Sequence, residues 1–227
     1  MAQQARAIRT RQTILESAAA VFAERGYERT TIGEILVRAG VTKGALYFHF
    51  TSKEDLAVGV LAAQMLDEPL TPQPIKVQEL VDQGFLLAHR LQCDPLVRAS
   101  VALALDSGAM GIDRAAPFRA WIDQVSEALM AAKAQGELLV HVDVTDTAEL
   151  FSGAFAGIQT MSQILRDRND LTHRVLVLLR HVMPTICTPA VLIRLEMTES
   201  RAKELAAEYD ANRLRRNEEN FAEISRP

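Results

Sequence analysis

The sequence predicts an all-α protein: an N-terminal helix-turn-helix unit of three helices, followed by a larger helical body. Three observations predict it. Ala, Leu, Glu, Gln and Arg dominate the chain, and strand-like alternation is scarce. Apolar residues recur at spacings of three and four along most segments. Two short helical segments near the N-terminus flank a turn that contains a glycine. The chain has 227 residues, of which 48% are hydrophobic and 24% charged, enough to bury a core and too apolar for a disordered chain.

The first helix is expected over residues 7–25. Ile14, Leu15, Ala18, Val21 and Phe22 form one apolar stripe, and Gly26 follows as a left-handed C-terminal cap. A second helix begins after Thr31, with Glu34 three residues on to complete a capping box, and stops at Gly40. Ile32, Ile35 and Leu36 face inward. Thr42 caps a third helix that starts at Lys43. Ser52 with Asp55 forms another box and starts a fourth helix, expected to end near Leu66. The stretch "EPLTPQP", residues 68–74, holds three prolines and reads as a linker. Body helices are expected over 75–92, 95–105, 117–135, 144–166, 171–186, 189–196 and 198–220, with Pro95 and Pro117 as helix starts. Residues 106–117 read as a loop and "DRND", 167–170, as a tight connection.

Charge divides the chain. Residues 1–53 carry eight basic and four acidic side chains, a net +4, which leaves −8 for the remainder of a chain whose total is −4. A basic head on an acidic body points to a polyanionic partner for the head alone. No apolar run approaches the roughly 20 residues that span a bilayer, and the basic N-terminus has no apolar segment behind it. The expected location is the cytoplasm, at the nucleoid, without a membrane partner. Cys93 and Cys187 lie far apart with no metal or redox spacing.

In a helix-turn-helix the second helix enters the major groove and reads bases from its N-terminal residues. Here those are Thr42, Lys43 and Gly44. Lys43 can donate to guanine. Gly44 costs about 1 kcal/mol of helix propensity relative to Ala, and close approach to DNA would offset that. Leu46 and Phe50, four apart, should face the core, while Tyr47 shares the face of Lys43. His49 and Lys53 continue that face, and the Thr31 and Thr42 hydroxyls suit phosphate oxygens.

"TTIGEILVRAGVTKGALYFHFTSKEDL" resembles the DNA-binding domain of the TetR family of repressors, a likeness that covers residues 8–56. It implies DNA contacts at Thr31, Thr42, Lys43, Gly44, Tyr47, His49 and Lys53, with Arg6 and Arg9 in a flexible basic arm. It also implies a double-stranded, pseudo-palindromic operator bound by a homodimer, whose four-helix seam would come from 144–166 and 171–186. The domain boundary follows: 1–53 for DNA binding, 54–227 for ligand binding and dimerisation. "RAIRTRQTIL", "DRAAPFRAWI", "AKAQGELLVHVD" and "LFSGAFAGIQTMSQ" further resemble the γ-butyrolactone autoregulator receptors of filamentous actinobacteria. That resemblance implies a repressor of secondary metabolism and antibiotic production, released by a γ-butyrolactone-like inducer that packs on Trp121.

Other expected ligand contacts are Gln64, on the helix that leaves the DNA unit, and Gln159 and Thr160, polar groups on an apolar helix. Phe85, Phe118 and Phe155 would supply walls. "GAFAG", 153–157, would let the helix at 171–186 approach closely. An alternative keeps the DNA binding but makes the ligand an antibiotic, a biosynthetic intermediate, a butenolide or an exported drug. A third reading, an enzyme, finds no support: His89, His141, His173 and His181 sit in no catalytic or metal motif. No cofactor and no metal are implied.

Overall fold

In the computed structural model, residues 2–64, 71–109 and 111–224 are described. They form α1 (Ala2–Arg25), α2 (Ile32–Ala39), α3 (Lys43–His49), α4 (Lys53–Ala62), α5 (Lys76–Cys93), α6 (Pro95–Leu105), α7 (Ala116–Ala134), α8 (Val144–Arg166), α9 (Leu171–Ile186), α10 (Pro189–Leu192) and α11 (Glu199–Ile224). No helix among the described residues is long and apolar enough to cross a membrane. The chain divides into two compact units. One comprises Met1–Met65, Asp94–Pro117 and Asp210–Pro227, the other Leu66–Cys93 and Phe118–Tyr209.

The first unit is built on the predicted stripe of α1. Ile14, Leu15, Ala18, Val21 and Phe22 are buried, and Ile35, Leu46, Phe50, Leu56, Val60 and Leu61 close over them. Ile32 and Leu36 pack at the edge of this core. α6 joins it too, through Ala99, Leu103 and Ala104. Its small residues let the helix lie close, and Ser100 Oγ donates to the carbonyl of Leu61 at 3.3 Å. The carboxylate of Asp106, at the end of α6, accepts from the backbone N–H of Tyr27 at 3.2 Å and of Gly108 at 2.9 Å. The compact unit therefore extends beyond the helix-turn-helix itself.

Four expected boundaries differ, two of them near the C-terminus, where the 189–196 helix ends at Leu192 and the 198–220 helix runs on to Ile224. α1 begins at Ala2, because Ala, Gln and Arg sustain the helix, so Arg6 and Arg9 lie on a helix rather than on a flexible arm. α4 ends at Ala62, whereas the expected end near Leu66 and the first part of the 68–74 linker fall outside the described residues. The Ser52 box is also displaced by one residue. Ser52 Oγ accepts from Asp55 N at 3.1 Å, but the Asp55 carboxylate turns to Thr51 N at 2.8 Å.

In the second unit α5 packs on α9, and α9 on α8. Gly84 of α5 faces Val175 of α9, whose Cγ1 lies 3.7 Å, an ordinary van der Waals distance, from where a Cβ would stand. The α5 N-terminus is capped from afar. The buried Glu137 carboxylate accepts from Lys76 N and Val77 N, both at 2.9 Å, and so takes up two of the orphan donors that open every helix. The same segment is pinned to the end of α9 by Leu139 N to Ile186 O at 2.8 Å and Thr188 N to Glu137 O at 2.9 Å. The 167–170 connection is tight as expected, with Asp167 and Arg168 both left-handed at φ 48° and 61°.

One packing expectation is corrected. α8 buries Ala148, Phe151, Phe155, Gln159 and Ser162. Gly153 and Gly157 lie off that stripe, are exposed, and have nothing within 4 Å of a built Cβ. They are not the seam between α8 and α9.

Candidate nucleic-acid interface and ligand site

α2 and α3 are set by their caps. Thr31 Oγ1 accepts from Glu34 N at 3.3 Å while the Glu34 carboxylate accepts from Thr31 N at 2.9 Å, so the capping box is complete. The Thr31 backbone and hydroxyl donors hold the Glu34 carboxyl below its usual range, and Arg25 pairs with it at 2.7 Å. Gly40, at φ 63°, turns the chain out of α2 in the left-handed region that favours glycine. Thr42 Oγ1 then accepts from Ala45 N at 3.2 Å and starts α3. Leu46 and Phe50 are buried in the core, at 0% and 2% exposure. This fixes the rotation of α3 and turns Lys43, Gly44, Tyr47 and Phe48 outward.

The outward face has two strips. Lys43 and Tyr47 form one, with the Lys43 ammonium 5.8 Å from the ring centroid. Gly44 and Phe48 form the other. Phe48 is 79% exposed, and sequence spacing gave it no role although it stands four residues past Gly44. A Cβ at Gly44 would meet nothing within 4 Å, so the protein's own packing does not demand glycine there. His49 is half-buried and meets Phe48 edge-on at 5.0 Å.

The remaining expected DNA contacts are placed differently. Arg6 and Arg9 are exposed on α1. The Thr31 hydroxyl donates to the Glu34 carboxylate at 3.0 Å, inside the capping box. Lys53 folds back into its own unit. Its ammonium donates to the carbonyls of Tyr27, Glu28 and Thr30 at 3.1, 3.4 and 3.2 Å, and lies 4.4 Å from the centroid of the Tyr27 ring. That ties the start of α4 to the turn before α2. Lys53→Gln should therefore cost about 1.5–3 kcal/mol in a denaturant melt, as for hydrogen bonds from a charged group. It should leave the salt dependence of DNA binding unchanged. A slope that falls by about one would instead put Lys53 on a phosphate.

In the second unit Trp121 stacks on Phe155, with ring centroids 6.5 Å apart and planes 14° from parallel. Trp121 Nε1, Gln124 Oε1 and Ser152 Oγ are sealed from solvent without a hydrogen-bond partner among the described residues. Neither Gln124 nor Ser152 stood out in the sequence, since a lone polar residue on a helix is usually exposed. Phe85 is buried in α5, and Phe118 is exposed at the start of α7. Gln159 and Thr160 satisfy one another: Gln159 Nε2 donates to Thr160 Oγ1 at 2.8 Å, and Thr160 to Ala156 O at 2.8 Å. Gln159 Oε1 also accepts from the Arg168 guanidinium at 3.3 Å. Gln64, buried after α4, belongs to the first unit.

The family of bacterial regulatory proteins, TetR family, matches residues 14–60, which span most of α1 through α4. The A-factor receptor protein of Streptomyces griseus is 37% identical over 196 residues, covering 86% of this chain and 70% of that protein. The chain belongs to the TetR family. Among solved structures of the family, full-length native TylP, a TetR regulator from Streptomyces fradiae, is 47% identical. Its TM-score is 0.85, with 89% of this chain and 98% of that one covered. A γ-butyrolactone receptor, ArpA-like, is 29% identical with a TM-score of 0.65, covering 89% and 98%. The relatives are TetR-family regulators rather than enzymes, and the likeness spans both units, well beyond α1–α4.

Proposed function

We propose that the protein is a TetR-family transcriptional repressor that binds operator DNA as a homodimer and is released by a γ-butyrolactone-type signalling molecule. Residues 1–53 are the reading part and residues 54–227 the sensing and dimerising part. The observation that carries the DNA reading is the outward face of α3, with Gly44 left open at its centre. Thr42, Lys43 and Gly44 approach the major groove, and Lys43 donates to a base edge. Tyr47 and His49 reach phosphates, and Phe48 offers an apolar contact to a thymine methyl. Arg6, Arg9 and the Thr31 end of α2 lie toward the backbone of the duplex.

Homodimerisation is supported by the outer face of α8. Leu150, Gly153, Gly157, Met161, Ile164 and Leu165 are exposed at helical spacing, and α9 adds Val177, itself 41% exposed. The two glycines let a second copy of the helix come close. Two-fold symmetry then places two α3 helices in successive grooves about 34–36 Å apart or at a multiple of that.

The ligand reading rests on the relatives, one an A-factor receptor and one a γ-butyrolactone receptor, and on the Trp121–Phe155 stack as an apolar wall. A ligand that favours a dimer geometry unsuited to the operator need supply only about 1–3 kcal/mol of coupling, a 5- to 150-fold change in affinity. Control of antibiotic production follows as the biological role. A drug-sensing role is not favoured.

Gly44→Ala separates reading from folding. With open space around the position and a better helix former in it, the melt should rise by about 1 kcal/mol. Binding to a fragment from upstream of the protein's own coding region, measured by fluorescence anisotropy, should fall at least tenfold because the methyl holds α3 off the groove. Unchanged binding would remove α3 from the interface.

A further inference from the structure

We propose that His89 and Cys93, at the end of α5 in the second unit, form a binding site for a thiophilic divalent cation of the zinc type. Neither residue takes part in the function proposed above.

Cys93 is the last residue of α5, and His89 stands four residues before it. A spacing of four puts two side chains on one helix face, one above the other. Neither residue sits in a recognised metal motif, because a pair on one helix needs nothing more than this spacing. Cys93 is exposed and His89 half-buried, so an ion can reach both. Cys93 Sγ lies 3.6 Å from His89 Nε2. The His89 ring meets Tyr209 of α11 edge-on, with centroids 6.1 Å apart and planes 81° from parallel. That contact restricts the imidazole, as the partners behind metal-binding histidines do. Arg90, next in the chain, is buried, and its guanidinium lies 6.0 Å from the centroid of the same tyrosine ring. Its charge is therefore directed at an aromatic face.

The separation of the two donor atoms matches a metal site. Zinc binds thiolate sulfur at about 2.3 Å and imidazole nitrogen at about 2.0–2.1 Å, in a tetrahedron. Those lengths and the tetrahedral angle place sulfur and nitrogen about 3.5–3.6 Å apart. The pair in the protein, at 3.6 Å, already spans that edge. The same distance suits a weak hydrogen bond between thiol and imidazole, and the ion replaces it. The thiol proton goes to solvent, and sulfur and Nε2 each direct a lone pair at the metal. The helix assists, because the carbonyls that end a helix carry partial negative charge and favour a cation. A thiolate selects zinc, cadmium or cobalt over magnesium and calcium, which prefer oxygen. Cys187 offers no such site. It is buried, and burial first, then the Glu137 carboxylate, push its thiol up to about 12. With two protein ligands rather than the four of a structural zinc site, the dissociation constant should be about 1–100 µM.

The test adds cobalt(II), then zinc(II), to the reduced full-length protein. Cobalt should bind one ion per chain and give the near-ultraviolet charge-transfer band of a cobalt–thiolate bond, and zinc should displace it. Cys93→Ser should abolish the band. His89→Gln should weaken cobalt binding about tenfold or more, since even the residues behind a ligand matter that much. Cys187→Ala should leave the band in place. X-ray absorption of the zinc-loaded unaltered protein needs no variant to fold. It should show one sulfur at about 2.3 Å and one imidazole nitrogen at about 2.0–2.1 Å. No thiolate band up to millimolar cobalt would overturn the proposal, as would a band that survives Cys93→Ser. So would a band lost in a Cys187→Ala variant that keeps its melting temperature, which would move the metal to the other thiol. His89→Gln binding as tightly as the parent would leave a single thiol capturing the ion, and a zinc shell without sulfur would place the ion elsewhere; either result refutes the pair. All of these outcomes are read without a lactone or an operator, so the proposal and the γ-butyrolactone reading stand or fall separately.

Discussion

Phe50→Ala should cost about 3–5 kcal/mol, the usual penalty for emptying a buried phenylalanine site. Phe50 is 2% exposed and among the largest fully buried side chains. It caps α3, its N–H donating to Leu46 O at 2.9 Å. Its ring also fills the space beside Gly59, where a Cβ would lie 3.3 Å from Phe50 Cε1, and the Arg11 guanidinium sits 5.1 Å from the ring centroid. The ring therefore joins α1, α3 and α4, and without it the rotation of α3 loses one of its two anchors, leaving Leu46. A domain of ordinary stability has only about 5–15 kcal/mol to lose, so operator binding should vanish together with the urea transition of the first unit. Phe48→Ala, two residues earlier, is the control. At 79% exposure it touches no core, so its melt should stay within about 0.5 kcal/mol of the parent. Operator binding should nonetheless drop about tenfold, as for a lost groove contact. Two aromatics, one on the seven-residue α3 and one at its C-cap, would thus separate folding from reading.

That contrast was half legible in the sequence. The spacing of Leu46 and Phe50 sends both inward, and the caps at Thr31, Thr42 and Gly40 could be named because each is decided within four residues of chain. Interactions that reach across the chain left no such pattern. The stripe of α6 fits any apolar partner, and only the fold shows that it joins α1 and α4. Glu137 gave no sign that it would cap a helix 60 residues earlier. Lys53 shares a helical face with His49, which suggested a phosphate contact, but a long flexible side chain is not bound by the face of its helix. It found three carbonyls behind it instead. At the Trp121–Phe155 stack, Trp121 was legible as a rare amphipathic aromatic. Gln124 and Ser152 were not, because what marks them is a side-chain oxygen sealed from solvent and unbonded among the described residues, which periodicity does not reveal.

The C-terminal helix was legible only as a charged helix, and part of what holds it is an ion pair to a buried carboxylate. Asp82 of α5 is 1% exposed and accepts from Arg201 Nε at 3.1 Å, while Gln78 Nε2 donates to the same carboxylate at 2.7 Å. Gln78 Oε1 in turn accepts from Glu196 N at 2.8 Å. The Asp82 bond, with Asp82 and Glu196 charges nearby, holds the Arg201 guanidinium above its usual value, so it stays charged throughout the working range. Asp82→Ala leaves that charge without its buried partner and frees the Gln78 amide. The expected loss is about 3–5 kcal/mol, more than an exposed ion pair could account for. Limited proteolysis should then cut within 194–205, where Ala202 and Leu205 are otherwise buried. The double variant Asp82→Leu/Arg201→Met should recover most of the loss, because a buried pair replaced on both sides by apolar groups is often neutral or better. If Asp82→Ala melted like the parent, the other contacts of α11, Ala202, Leu205 and the Arg213–Asp94 ion pair at 3.3 Å among them, would hold it without the pair. If the double variant fell as far as the single one, the pair would contribute through its geometry and not merely by avoiding an unpaired charge.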